Sequence, residues 1–413
     1  MSSHLNPLSI HKPLDIAIIG AGPQALTLVT HLLQKKKTMR SRFQVFDPSG
    51  QWLTQWHRQF AAQEIPHLRS PAVHHPDPKP QALLNFADRR YLELHNPYNR
   101  PGTSLFRDFC ERVIEGWQLR DRVLPAQVTE LIYQRRRFAL TLDNGQKVIA
   151  RRVVLAVGNA IPKLPDWAVS VDAPPGRLCH STAVDLRNLP SLQGETVLIV
   201  GSGLTSGHLA IGAVKRGARV LLMARRRFQE KIFDAAPGWL GPKYLKGFHA
   251  ETDWHQRSQM IQQARDGGSL TPDMLTKLRR LSREDKVTLY EHCQVKELAW
   301  TGNAWQVHCQ NYAVHDCLNH QSIDRIWLAT GNQLDVANQP LLKDVMARYP
   351  VEIVNGVPVL DKHLRWPGCD LFLMGPWAAL QVGPVARNLF GGKLCCDRIV
   401  PALIKQVGLH RCS

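Results

Sequence analysis

Short apolar runs recur along the chain, and several of them close on glycine. The first occupies 15–19 and ends at Gly20. A continuous apolar run bounded by a turn residue fits a strand buried on both faces. A helix-compatible run follows over 26–34, and a second strand over 42–46 ends at Asp47. The same succession returns further on: a strand over 195–200 closed by Gly201, a helix over 204–215 and a strand over 217–224. Two more apolar strands of the form Ala-x-Gly, 152–157 before Gly158 and 325–330 before Gly331, flank this second unit. Alternation over 126–133 and 137–142, then the turn Asp143-Asn144-Gly145 before 147–150, predicts a small β-meander inserted in the first unit. Phe106, Phe109, Val113 and Ile114 share one face of a helix predicted over 104–118, and a short helix is expected over 81–90.

The stretch 228–290 reads as an insert. It opens with a loop rich in aromatics and turn residues at 233–244. Helices follow over 254–265 and 271–281, with Pro272 at a first helical position. Strands over 289–300 and 305–310, a strand over 369–375 and a closing helix over 386–400 complete the pattern. The predicted fold is α/β, with two Rossmann-like nucleotide-binding domains, one nested in the other. Residues 1–190 and 331–413 form the first domain, and 191–330 form the second together with its helical insert.

The turn Gly20-Ala21-Gly22-Pro23-Gln24-Ala25 is a G-x-G-x-x-A fingerprint between strand and helix. Gly20 permits the tight turn, Gly22 lets backbone approach a pyrophosphate, and Ala25 allows close helix–strand packing. Free N–H groups at the helix start favour phosphate, and Asp47 suits the hydroxyls of an adenosine ribose. This half is assigned to FAD. The turn Gly201-Ser202-Gly203-Leu204-Thr205-Ser206 repeats the pattern, with Ser206 in the third small position. The strand after it ends in Arg225-Arg226-Arg227, where an acid would mark NAD. Guanidinium groups suit a ribose 2′-phosphate, so NADPH is expected here, on Arg225 and Arg226. Trp52, Val128, Gly158, Gly331, Gly375, Leu380 and Gln381 complete the expected cofactor contacts. The proline-rich segment 65–78 cannot be helical and carries His67, His74 and His75. It is expected to line the flavin face, with Arg69 and Ser70 as polar contacts. No metal site is expected, because adjacent histidines diverge and no fourth ligand is evident.

Composition narrows the picture. A chain of 413 residues with 44% hydrophobic content accommodates two or three domains. No apolar run reaches the roughly 18 residues of a spanning helix. Residues 1–12 lack the apolar core of a signal peptide. Nine cysteines lie scattered without C-x-x-C spacing, so a cytoplasmic chain with reduced thiols is expected. The net charge of +18 gathers in part at Lys35-Lys36-Lys37, Arg135-Arg136-Arg137 and Arg225-Arg226-Arg227. These clusters are dispersed and lack interleaved aromatics. That favours solvated loops and attraction for phosphorylated cofactors over a nucleic-acid partner, which is not expected. Peripheral contact with a membrane is the less favoured reading, and a homo-oligomer is left open.

With these residues in hand, the chain resembles the two-dinucleotide-binding flavoproteins, and among them the class B flavin monooxygenases. The nearest likeness is to the lysine and ornithine N-hydroxylase group and the oxidative-stress-induced growth inhibitor proteins. It rests on Gly20 to Ala25, Gly201-Ser202-Gly203, Ala156-Val157-Gly158 and Ala329-Thr330-Gly331. The monooxygenase fingerprint F-x-G-x-x-x-H is matched at Gly176 and His180, with Pro174 in place of the aromatic and Asp185 one position late. The resemblance implies hydride transfer from NADPH to FAD, capture of dioxygen as a flavin C4a-hydroperoxide and hydroxylation of a small amine or similar nucleophile. It also implies a catalytic-site role for His180 near the nicotinamide and for Arg69 near the flavin. An NADPH oxidase or quinone reductase, and a flavin-bound regulatory protein with little turnover, are the alternatives. In related flavoproteins an acid follows the glycine at the position of Gly375, and here Pro376 does.

Overall fold

The structure is a computed structural model, and it describes residues 12–158, 161–169, 171–310, 318 and 321–405. Twelve strands organise it: β1 (Leu14–Ile19), β2 (Phe43–Asp47), β3 (Val123–Pro125), β4 (Val128–Gln134), β5 (Arg137–Leu142), β6 (Lys147–Leu155), β7 (Leu178–His180), β8 (Thr196–Val200), β9 (Arg219–Met223), β10 (Val287–Tyr290), β11 (Arg325–Leu328) and β12 (Leu371–Leu373). The helices that matter for the site are α1 (Pro23–Lys35), α2 (Thr103–Gly116), α3 (Leu204–Lys215), α4 (Pro242–Ala250), α5 (Trp254–Arg265), α6 (Pro272–Arg283) and α7 (Leu389–Ile404).

The first sheet runs β3-β2-β1-β6-β5-β4, with β12 also paired to β6. Its central strand β1 is fully buried at Ile16, Ala17 and Ile18, as expected for a parallel strand covered on both faces. The nested unit is a parallel sheet in the order β7-β11-β8-β9-β10. Each sheet has its own core. Phe46, Phe138, Trp366 and Phe372 lie in the first, and the second holds Leu209, Leu222, Leu278 and Trp327.

Three expectations change in the structure. The meander is not a separate inset: its last strand and the strand before Gly158 are one, β6. The first half of β6 pairs antiparallel with β5 (Phe138 against Ala150), and its second half pairs parallel with β12 (Leu155 against Leu373). The switch from alternating to continuous hydrophobicity marks that change of neighbours, not a break in the strand. Second, the nested sheet takes in β7, which pairs with β11 ahead of the expected boundary at 191. Third, part of the aromatic loop at the start of the insert is helical, as α4, with Pro242 at its first turn.

The insert bridges the two domains. Trp239, Phe248 and Val385 form one small core with Met260, Phe390 and Leu394, which joins α4 and α5 to the start of α7. On the other side α6 packs along α3, and a Cβ on Gly207 would lie 2.7 Å from Met274 Sδ. Gly207 thus leaves room for the Met274 side chain where the two helices cross.

His208, on the same face of α3, is buried, and its imidazole is pushed down to about 4, chiefly by that burial. His67, Asp273, Lys277 and Lys215 surround it. Its folded-state value lies below its unfolded one, so its contribution to stability is present above about pH 6.5 and is lost as pH falls toward 4. At pH 5 the loss from this group is about 2 kcal/mol. Urea unfolding at neutral pH and at about pH 5 checks this. The acid-induced drop is expected to shrink in His208→Gln.

Candidate functional site

Strand β1 delivers the chain into a turn that only glycine makes without strain. Gly20 has φ +98°, and a Cβ there would lie 2.9 Å from the carbonyl oxygen of Ala156. Gly22 then caps α1 with extended backbone, and no side chain caps the helix. Nothing stands within 4 Å of a Cβ built at Gly22. Pro23 occupies the first helical turn, and the first turn holds no acid. The result is an open cradle of free N–H donors at the positive end of a helix dipole, which suits a pyrophosphate.

Asp47, at the end of β2, does two things. Its Oδ2 accepts the Ala21 N–H at 3.1 Å and its Oδ1 accepts the Ser49 N–H and Oγ–H at 3.0 and 2.6 Å. The carboxylate fixes the glycine turn against the strand end and keeps lone pairs for a ribose. Trp52 is not a wall of that site. It is 5% exposed, and its indole N–H donates to the Leu119 carbonyl at 2.9 Å, because the turn after Asp47 sends the ring into the core. Val128 is likewise a core residue at the start of β4. Gln24 ties α1 to the last helix: its Nε2 donates to the carbonyls of Asn388 (3.1 Å) and Ala386 (3.4 Å). Gly375 has φ +68° and lies against Gln24, so the β12 turn meets the start of α1. Leu380 is buried, and Gln381 donates to the Leu360 carbonyl. Leu380 packs with Val354 and Val357 in a small core of its own.

In the nested unit Gly201 is held even more tightly. Its φ is +149°, and a Cβ would lie 2.3 Å from the Ala329 carbonyl oxygen. Gly203 caps α3 without a side-chain cap. Ser206 turns inward, and its hydroxyl donates to the Gly203 carbonyl at 2.7 Å. The chain leaves β9 through Ala224 to Arg225 and Arg227, both exposed, whereas Arg226 is half-buried and donates to Asp266 Oδ1 at 2.8 Å. Among the described residues, Arg225 has no hydrogen bond or ion pair. Of the two arginines expected at the 2′-phosphate, one is free and one is engaged within the protein.

Gly158 and Gly331 follow the ends of β6 and β11, where the chain passes between the domains. The short pair Ile161–Pro162 with Asn332–Gln333 joins the two passages. His180 is tied to them: its Nε2 lies 3.0 Å from the Gly331 carbonyl and its Nδ1 3.0 Å from Thr182 Oγ1. The carbonyl requires a proton on Nε2, so Nδ1 accepts from the Thr182 N–H at 3.3 Å. Burial lowers its pKa, so the ring is neutral. Both nitrogens have protein partners, which makes His180 a positioning residue on the hinge. His180→Ala is expected to reduce stability by about 1 kcal/mol and to lower kcat. The shape of the kcat/KM pH profile is expected to stay the same. Loss of an ionisation from that profile would show proton exchange by His180 instead.

Between the first domain and the insert lies a narrow cleft of about 40 Å³, lined by Arg69, Ser70, His74, Asp234, Leu240 and Phe390 among others. The 65–78 loop contributes Arg69, Ser70, Pro71 and His74 to it. Arg69 does not project freely into it. Its Nε donates to the Ile232 carbonyl and its Nη2 to the Lys231 carbonyl, both at 2.7 Å, and Nη2 also reaches Ser269 Oγ at 2.8 Å. Arg69 therefore staples the FAD domain to the insert, with Asp234 at 3.8 Å. Asp234 pairs with Arg265 at 2.8 Å. Burial acts to raise its pKa, but Arg265 and Arg69 outweigh that and hold it below the usual carboxylate range. Arg387, between the cleft residues Val385 and Asn388, is exposed and makes no hydrogen bond among the described residues. Asp234, Arg265 and Arg387 come from three separate segments, and nothing local in the sequence marks them. Among the described residues no group of side chains is arranged to hold a metal ion.

The family model for L-lysine 6-monooxygenase/L-ornithine 5-monooxygenase matches residues 12–334. The chain belongs to that family. The match runs through both glycine turns, β6, β7 and β11. Trimethylamine monooxygenase from Pelagibacter ubique (strain HTCC1002) is 25% identical over 235 residues, 51% of this chain and 50% of that protein. The chain thus spans about half the length of the curated relatives it matches. Ornithine hydroxylase from Pseudomonas aeruginosa has the same fold, with a TM-score of 0.76 at 14% identity over 95% of this chain and 99% of that one. So does ornithine N-hydroxylase from Kutzneria sp. 744, whose structure holds reduced FAD, NADP⁺ and L-ornithine. There the TM-score is 0.77 at 14% identity, over 95% of this chain and 99% of that one.

Proposed function

We propose that the protein is an FAD- and NADPH-dependent monooxygenase that hydroxylates the nitrogen of a small amine with dioxygen. The family match carries this reading, and the site's own chemistry supports it. The cradle at Gly20, Gly22 and Pro23 fits the FAD pyrophosphate, with Asp47 at the ribose. The turn at Gly201 and Gly203 fits the NADPH pyrophosphate, with Arg225 at the 2′-phosphate. Bound flavin, reduced by NADPH, supplies the activation of dioxygen.

The residues of the chain then do the positioning. His180 fixes the passage between domains, and Arg69 fixes the insert over the cleft. Phe233, Leu240, Val385 and Phe390 exclude water from its apolar side. Asp234, kept ionised by its arginines, is the acceptor for an ammonium group of the substrate other than the nitrogen that takes up oxygen, which reacts as the free amine. Arg387 is free for an acid group, and Arg69, Arg265 and Arg387 outnumber the one carboxylate. An amine that also carries a carboxylate matches that balance better than a plain diamine. Among the described residues no helix is long and apolar enough to cross a membrane. The assay is NADPH oxidation with lysine, ornithine, cadaverine and trimethylamine, read together with the hydroxylamine formed. Asp234→Asn is expected to raise KM for the amine by about tenfold or more, the cost of losing a charge-assisted hydrogen bond of about 1.5–3 kcal/mol. Unchanged KM would remove Asp234 from the substrate site.

A further inference from the structure

The two nucleotide turns are built alike but are not equally open. Gly22 faces empty space, whereas Gly203 faces Gly268, whose Cα lies 3.6 Å from a Cβ built on Gly203. Conversely, a Cβ on Gly268 would lie 2.6 Å from the Gly203 nitrogen and 2.9 Å from the Ser202 carbonyl carbon. The loop between α5 and α6 therefore rests directly on the phosphate turn of the nested unit, and only glycine at 268 lets it do so.

The same loop carries a carboxylate. Asp266 ends α5 with φ +41°. It accepts from Arg226 Nη1 at 2.8 Å, from Gln229 Nε2 at 2.8 Å and from Lys231 Nζ at 3.4 Å, and Arg226 Nη2 also donates to its backbone carbonyl. Gly267 has φ +65° and lies against the Arg226 guanidinium. A guanidinium, an ammonium and an amide converging on one anion form the donor set of a phosphate site. Here that anion belongs to the protein. The far end of the loop is pinned where Arg69 reaches Ser269 Oγ.

We propose that residues 266–269 form a gate over the second nucleotide turn, held shut by Asp266 standing in for the 2′-phosphate of NADPH. The gate rests on the reading of that turn as the NADPH site. Nucleotide entry requires the loop to lift, which frees the N–H groups at the start of α3 and releases Arg226. Apparent affinity is lowered by the fraction of molecules that are shut. Because the gate must open for either nucleotide, it weakens NADP⁺ and NAD⁺ by the same factor. Preference between them comes only from what the arginines meet afterwards. The Asp266 side chain is 43% exposed and Arg226 29% exposed, so the latch is screened by solvent and easily released.

Calorimetric titration of the flavin-bearing protein with NADP⁺ and with NAD⁺ tests this in two variants. Asp266→Ala removes the latch. Gly268→Ala denies the loop its seat, at a backbone conformation that alanine tolerates. Both are expected to tighten NADP⁺ and NAD⁺ alike, by about tenfold for a latch of a few exposed charge contacts. If neither variant binds NADP⁺ more tightly than the unaltered protein, the loop is a floor for the nucleotide and the gate is overturned. A gain confined to NADP⁺ in Asp266→Ala would indicate simple charge repulsion and would also overturn it. Absence of NADP⁺ binding in all three proteins would overturn the nucleotide assignment itself, and the gate with it.

Discussion

Gly22→Glu is expected to abolish FAD binding while leaving the flavin-free protein as stable as before. Gly22 has φ −77° and ψ −176°, a conformation open to any L-residue. Nothing lies within 4 Å of its would-be Cβ, so a side chain can start there without displacing backbone. It enters the place assigned to the pyrophosphate and brings a negative charge. Opposed like charges cost several kcal/mol, which is on the order of a thousandfold in affinity. The check is flavin content after purification, together with urea unfolding of stripped wild-type and variant proteins, expected to agree within about 0.5 kcal/mol. Gly20→Ala is the contrasting case. With φ +98° and the Ala156 carbonyl in the way, it destabilises the fold itself. If Gly22→Glu retains flavin, the cofactor lies elsewhere.

Arg225→Ala is expected to raise KM for NADPH by about tenfold or more, through loss of a charge-assisted phosphate contact partly screened by solvent. KM for NADH should stay unchanged. Arg225 is exposed and unpaired among the described residues, so its removal breaks nothing in the fold. Arg226 is a poorer choice for this test, because it already serves Asp266. Steady-state kinetics with both nucleotides decide the matter, and equal losses would remove Arg225 from the 2′-phosphate.

Both glycine turns were legible in the chain because their chemistry is local. A tight turn between strand and helix needs positive φ, and Gly20 and Gly201 supply it. The nesting was legible too, since β6 and β11 end alike on either side of the second unit. The limits of local reading show at Trp52, Arg226 and Arg69. Each has the right residue type near the right motif, yet a partner distant in sequence decides its job: Leu119, Asp266, and the 231–232 and 269 segments respectively. The last helix starts at Leu389 rather than 386, because Gly383 at φ +94° holds a turn ahead of it. It continues through Pro401 to Ile404, beyond where a sequence rule would stop it. The charged cleft had no signature, because Asp234, Arg265 and Arg387 meet only after folding.

In the proposed reaction, nested flavin and nicotinamide sites drive oxygen transfer to an amine. Incubating the flavin-bearing protein with NADPH, isotopically labelled dioxygen and the amines lysine, ornithine, cadaverine and trimethylamine tests it most directly, by mass spectrometry of the products. One labelled oxygen is expected on the nitrogen of at least one amine, formed in step with NADPH consumed. Hydrogen peroxide accounting for all the oxygen consumed with every amine, or no bleaching of the flavin by NADPH, would contradict it.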